Sequence, residues 1–202
     1  EICACLVGSE MCIRDRHKTD TRAIATAGEN AISTLDVYVF GSPTEDGTYT
    51  FQERFAYREN SDDLPADAKE LVLNAGATDN VTTGLLSLHR GLFVKFYCIA
   101  NDTQPVKADG DEVVADDFTP ITFTAGSSTM ERAGSPTEAD FIQYHTRLLD
   151  TDVLNVPLAM AGAQTLPLDL TDASISTRQQ VNFKLTRLAA RFDVVNLSLI
   201  HI

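Results

Sequence analysis

Leu92-Phe-Val-Lys-Phe-Tyr-Cys-Ile-Ala100 is the stretch that decides the fold. It is dominated by aromatic and apolar residues, opened by Gly91, and reads as a strand. Leu92, Val94, Phe96 and Cys98 fall on one face, and Phe93, Tyr97 and Ile99 on the other. A strand apolar on both faces lies between two covering layers, in the middle of a sandwich.

Two other stretches have the same character. Leu35-Asp-Val-Tyr-Val-Phe40 is a second strand, within a run that starts near Ile32. The third begins at Val181, where Val181, Phe183 and Leu185 alternate with polar residues. Leu188, Ala190, Phe192 and Val194 then alternate in the opposite phase. One extra residue near Thr186-Arg187, a β-bulge, would keep both halves facing the core.

Between these anchors the chain reads as short strands joined by polar turns. A strand is expected over 21–26. Gly41-Ser-Pro-Thr-Glu-Asp-Gly47 is a hairpin loop, and residues 48–58 return with Tyr49, Phe51, Phe55 and Tyr57. Residues 69–74 form a short strand, 81–88 a strand or a loop, and 158–160 and 166–170 two further strands. Pro157 and Pro167 suit strand starts or edges. One helix is marked by Ser135 as N-cap, Pro136 at the first helical position and Glu138 three residues after the cap. Phe141, Tyr144 or His145, Leu148 and Leu149 continue it as one apolar stripe. The expectation is a mainly β, seven- or eight-stranded antiparallel sandwich, transthyretin-like, with one short helix. Phe93, Val94, Phe96, Cys98, Leu188 and Phe192 are its predicted core.

The 202 residues carry a formal net charge of −13. A polyanion binder needs a basic face to release counterions, so nucleic acid is not an expected partner. The carboxylates gather in loops: Glu45-Asp46, Asp62-Asp63, Asp109 to Glu112, and Asp116-Asp117. Asp109-Gly-Asp-Glu112 lacks the alternating ligands and later Glu of a calcium loop, so these read as solvated charge. His17, His89, His145 and His201 share no zinc-like spacing with cysteine or carboxylate. There is no Gly-x-Ser-x-Gly elbow, no dinucleotide fingerprint and no phosphate loop. No catalytic residue, metal site or cofactor is assigned, and the chain reads as a non-enzyme. No stretch approaches the ~20 apolar residues that cross a bilayer as a helix. Arg187 and Arg191, four residues apart on the polar phase of the last strand, invite a binding-site reading but read rather as solvent-facing charge or as partners of loop carboxylates.

The ends stand apart. Residues 1–16 hold Cys3, Cys5 and Cys12, three of the four cysteines. Leu6 to Arg16 and Ser198 to Ile202 look like peptides translated from sequencing-adapter DNA. Both ends are therefore expected to pack poorly and add nothing to the core. Cys98 is then the single native cysteine, a small buried apolar residue rather than a reactive thiol.

Taken in order, Leu35 to Phe40, Ile99-Ala100-Asn101, Pro157-Leu-Ala-Met-Ala-Gly162 and Arg187-Leu-Ala-Ala-Arg191-Phe192-Asp193-Val194 resemble the N-terminal domain of fimbrillins, pilus subunits of Bacteroidales. The likeness covers roughly residues 20–197, within one domain expected over 17–197. Against that family the chain looks like a truncated N-terminal half, with the usual C-terminal domain expected to be absent. The likeness implies a structural subunit of a bacterial surface pilus, exported as a lipoprotein, that supports adhesion at the outer membrane. Its partners would be other pilin subunits and a maturation protease, with membrane contact only through a lipid anchor. Trimming after an arginine, best matched by Arg22, would release an N-terminal strand, and a neighbour's strand would fill the groove. The released segment is expected to be an edge or end strand, because removing a central one would cost hydrogen-bond ladders on both sides and much of the core, and the domain would not survive. A non-polymerising surface adhesin or glycan-binding sandwich is the alternative, and a secreted hydrolase a distant third.

Overall fold

The computed structural model describes residues 2–7, 31–75, 81–102, 106–107, 109–111, 136–144, 157–172 and 179–188. Within them ten strands run in chain order: β1 (Ile2–Val7), β2 (Thr34–Ser42), β3 (Thr50–Arg58), β4 (Lys69–Glu70), β5 (Leu73–Ala75), β6 (Val81–Leu86), β7 (Phe93–Ala100), β8 (Met160–Asp169), β9 (Gln179–Lys184) and β10 (Thr186–Arg187). One helical turn, α1 (Glu138–Phe141), lies between β7 and β8.

The strands make two sheets, ordered β5-β6-β1-β9 and β10-β8-β7-β2-β3-β4. Inward residues of both sheets share one apolar cluster: Leu35, Val37 and Val39 of β2, Val94, Phe96 and Cys98 of β7, Leu86 of β6, and Val181 and Phe183 of β9. The protein is therefore mainly β, a sandwich with a core between its sheets. Pairing is mostly antiparallel, but β1 with β9 and β3 with β4 are parallel.

β7 behaves as its two-faced sequence requires. It lies between β2 and β8. Phe96 and Cys98 are almost fully buried in the inter-sheet core. Full burial of a side chain such as Phe96 contributes about 1.5–3 kcal/mol. Phe93, Tyr97 and Ile99 point the other way, onto a second cluster of Tyr38, Phe40, Tyr49, Phe51 and Phe141. That outer cluster is capped by α1. The helix starts later than the sequence suggests, with Thr137 as N-cap and a reciprocal capping box to Asp140. Proline at 136 instead offers its carbonyl to the Phe51 N–H at 3.1 Å. The continuation through His145, Leu148 and Leu149 falls outside the described residues, as do Ser135, the strand expected over 21–26, and Phe192.

Several expectations are corrected. Tyr49, Phe51, Phe55 and Tyr57 share one phase in the sequence but not in space. Pairing slips between Val39↔Glu53 and Phe40↔Phe51, so Gln52 is an extra residue and the phase reverses there. Tyr49 and Phe51 face the outer cluster, whereas Phe55 and Tyr57 join the inner one. The two strands expected over 158–160 and 166–170 are one, β8, with Pro167 at an irregularity between Gln164↔Phe96 and Leu168↔Val94. The strand expected over 69–74 is split: β4 pairs with β3, while β5 pairs with β6 in the other sheet.

In place of the bulge expected near Thr186-Arg187 the chain changes sheet. β9 pairs with β1, and β10 pairs with β8 in the facing sheet. The chain changes sheet at Leu185, which is buried at the crossing. Arg187 stands opposite Met160, an inner-core residue, and Thr186 opposite Ala161, so the phase of Val181, Phe183 and Leu185 continues through the crossing as far as the described residues reach. Leu188, predicted as core, is 51% exposed. Gly162 makes the crossing possible, because a Cβ there would stand 2.6 Å from the Lys184 carbonyl oxygen.

The largest departure is at the beginning of the chain. Ile2–Val7 is not outside the fold: it is an interior strand between β6 and β9. Ile-Cys-Ala-Cys-Leu-Val is an unbroken apolar run, which a strand with neighbours on both sides carries as readily as alternation.

Candidate functional site

The first candidate is the slot that β1 occupies. Ile2 stands opposite Leu86 of β6 and Gln179 of β9, and Val7 opposite Val81 and Lys184. One ladder is antiparallel and the other parallel. Without β1, β6 and β9 would face each other across two strand spacings, about 9.6 Å, each with a row of unpaired N–H and C=O groups. The inward side of this sheet is apolar through Leu86, Val181 and Phe183. The segment ahead of Arg22 thus contains a central strand, not the edge strand expected. Arg22 itself lies between β1 and β2 in the chain, outside the described residues.

The chain is tied down where β2 begins. Asn101 follows β7 with a φ of 59°, the left-handed conformation that asparagine tolerates better than most residues. Its Oδ1 accepts from the Ser33 N–H at 3.0 Å, and its Nδ2 donates to the Ala31 and Leu158 carbonyls at 2.9 Å each. This is the asparagine of the Ala100-Asn101 pair singled out in the sequence.

The outer face of the larger sheet holds charge the sequence analysis passed over. Asp36 on β2 is buried, as are Arg54 and Arg58 on β3. Arg54 Nε donates to Asp36 Oδ1 at 3.0 Å, and Arg54 Nη1 reaches Asp67 at 3.1 Å. The Arg54 guanidinium also lies 5.3 Å from the centre of the Tyr38 ring. Burial pushes the Asp36 carboxyl up from its ordinary value, and the two guanidiniums oppose that shift. The available signal was a lone carboxylate on the otherwise apolar Tyr38–Phe40 phase, with two arginines four apart on its partner strand.

Beside this network a second polar group seats α1. Lys95 Nζ donates to Glu138 at 2.9 Å and lies 4.0 Å from the centre of the Tyr49 ring. The Tyr97 hydroxyl donates to Glu138 as well. Burial, then the Glu138 carboxylate, pushes the Tyr97 phenol up. An open cavity of about 550 Å³ adjoins α1, lined by Tyr97, Phe141, Tyr144, Asp102 and Gly162 among others.

The remaining candidates are dispersed. Arg187 lies half-buried on β10, Arg191 is outside the described residues, and Asp109 and Asp111 are exposed. Cys98 is free and buried, and burial pushes its thiol up, away from the reactive thiolate. Among the described residues no cluster of three or more His, Cys, Asp or Glu is placed to hold a metal ion.

Fold and site together define a mainly β sandwich with an N-terminal strand inserted into the smaller sheet. No family model, curated protein or solved structure matches the chain.

Proposed function

We propose that this protein is a structural subunit of a bacterial surface pilus, exported as a lipoprotein and polymerising by strand addition between protomers. The reading rests on β1, although its central position departs from the edge position expected for a trimmed strand, so its loss costs both ladders until another strand restores them. A strand from the first residues of the chain sits between β6 and β9, and Arg22 separates it in sequence from all the rest. Cleavage after Arg22 would leave β1 held only by noncovalent contacts. A neighbour's strand could then take its place and recover both ladders, at about 1 kcal/mol net per hydrogen bond. The four sequence motifs shared with fimbrillins support the same reading.

The test is Arg22→Ala in a complete subunit, treated with an arginine-specific protease and imaged for filaments. Wild type should be trimmed and polymerise, and the variant should stay folded and monomeric. Normal filaments from the variant would remove Arg22 as the maturation site. A glycan-binding sandwich is the second reading, favoured by the aromatic and carboxylate lining of the cavity beside α1. Saturable binding to a glycan array, abolished by Tyr144→Ala, would favour it over polymerisation.

A further inference from the structure

The backbone entering β2 is held from two sides before the β2 ladder begins. From the end of β7, the Asn101 N–H donates to the Thr34 carbonyl at 3.0 Å. The Asn101 side chain accepts from the Ser33 and Thr34 N–H groups, at 3.0 and 3.4 Å. It also donates to the Ala31 carbonyl and to Leu158, just ahead of β8. From the end of β3, the Glu59 N–H donates to the Ser33 carbonyl at 2.9 Å. One side chain therefore joins the start of β2, the end of β7 and the approach to β8.

We propose that Asn101 is a latch that sets where N-terminal trimming stops, by withholding the peptide bonds from Ala31 onward from proteases. A protease must draw several residues, freed of local hydrogen bonds, into its cleft, so cleavage follows the ease of local opening. Residues 31–34 open only if the Asn101 side chain lets go. A subunit can then lose its leading segment while β2, whose Val37 and Val39 belong to the inter-sheet core, stays in place. This use in maturation rests on the pilus reading, whereas the protection itself does not.

The test uses the full chain under native conditions, digested briefly with a broad-specificity protease, with fragment N-termini read by mass spectrometry. Asn101→Gly keeps access to positive φ and removes every side-chain bond. Asn101→Asp keeps the acceptor oxygen and loses the donations to Ala31 and Leu158. Wild type should show no cut between residues 31 and 42. Asn101→Gly should gain cuts confined to residues 31–35, about tenfold faster or more, with Asn101→Asp between the two. Wild-type cleavage within 31–34, or unchanged patterns in both variants, would overturn the latch. So would cleavage throughout β3 and β7 in both variants, which would make Asn101 a support of the whole fold. Filament formation does not enter this readout, so its outcome is separate from that of the Arg22 experiment.

Discussion

Arg58 holds Asp36 with a single nitrogen: its Nη2 lies 3.0 Å from each carboxylate oxygen, and both side chains are buried. With Arg54 bonded to the same carboxylate, one anion stands between two cations away from water. Such a group is costly to form and more costly to break, because removing one member strands the others.

Asp36→Ala should therefore destabilise the protein by about 3–5 kcal/mol, read from denaturant unfolding. Replacing Asp36, Arg54 and Arg58 together with apolar residues of similar volume, and Asp67 with Asn because it too pairs with Arg54, should recover most of that loss. A quadruple variant no more stable than Asp36→Ala would show that the charges themselves are needed.

Phe141 and Ile142 are neighbours with opposite expectations. Phe141 is buried with its ring centre 4.7 Å from that of Tyr38 and 5.1 Å from that of Phe40, whereas Ile142 is 60% exposed. Phe141→Ala should cost about 3 kcal/mol and Ile142→Ala less than about 0.5 kcal/mol in thermal or chemical unfolding. Equal effects would mean that α1 does not seat on the sheet through Phe141.

Gly162→Ala should destabilise by about 1–3 kcal/mol, because the added methyl meets the Lys184 carbonyl, a backbone atom that cannot swing aside. Leu188→Ser, on the exposed residue just past the same crossing, should change stability by less than about 0.5 kcal/mol. Unfolding midpoints of the two variants measure the contrast.

Alkaline pH should weaken the fold. Burial holds the Tyr38 phenol above its ordinary value, and burial with Glu138 holds Tyr97 there too. A raised folded-state value means that, above about pH 10, the unfolded chain releases protons that the folded one retains, so stability falls. Tyr97→Phe removes one such group and should flatten the decline between about pH 9 and about pH 11, followed by urea midpoints. An unchanged slope would show that Tyr97 titrates as freely folded as unfolded.

Alternation and two-sided apolarity in 92–100 and 35–40 were enough to establish a mainly β sandwich, because pleat geometry sends successive side chains to opposite faces whatever the partners are. Pro136, Glu138 and Phe141 likewise marked a helix locally, although its cap proved to be Thr137. Partner choice lay beyond local pattern. The bulge at Gln52 reverses the inward phase where the sequence shows no break, and the change of sheet at Leu185 leaves it unreversed through Arg187, opposite Met160. Both depend on distant strands: at the crossing, β1 offers β9 a parallel ladder, and Gly162 leaves room for the chain to pass to β8. Asp36 with Arg54 and Arg58, and Asn101 with Ala31 and Leu158, join groups brought together by the β2 pairings or by the passage from β7 to β8. Local chemistry thus specified the strands and their faces, while the closing of ladders between remote segments selected their neighbours, since a backbone N–H pairs with any carbonyl that packing brings within reach.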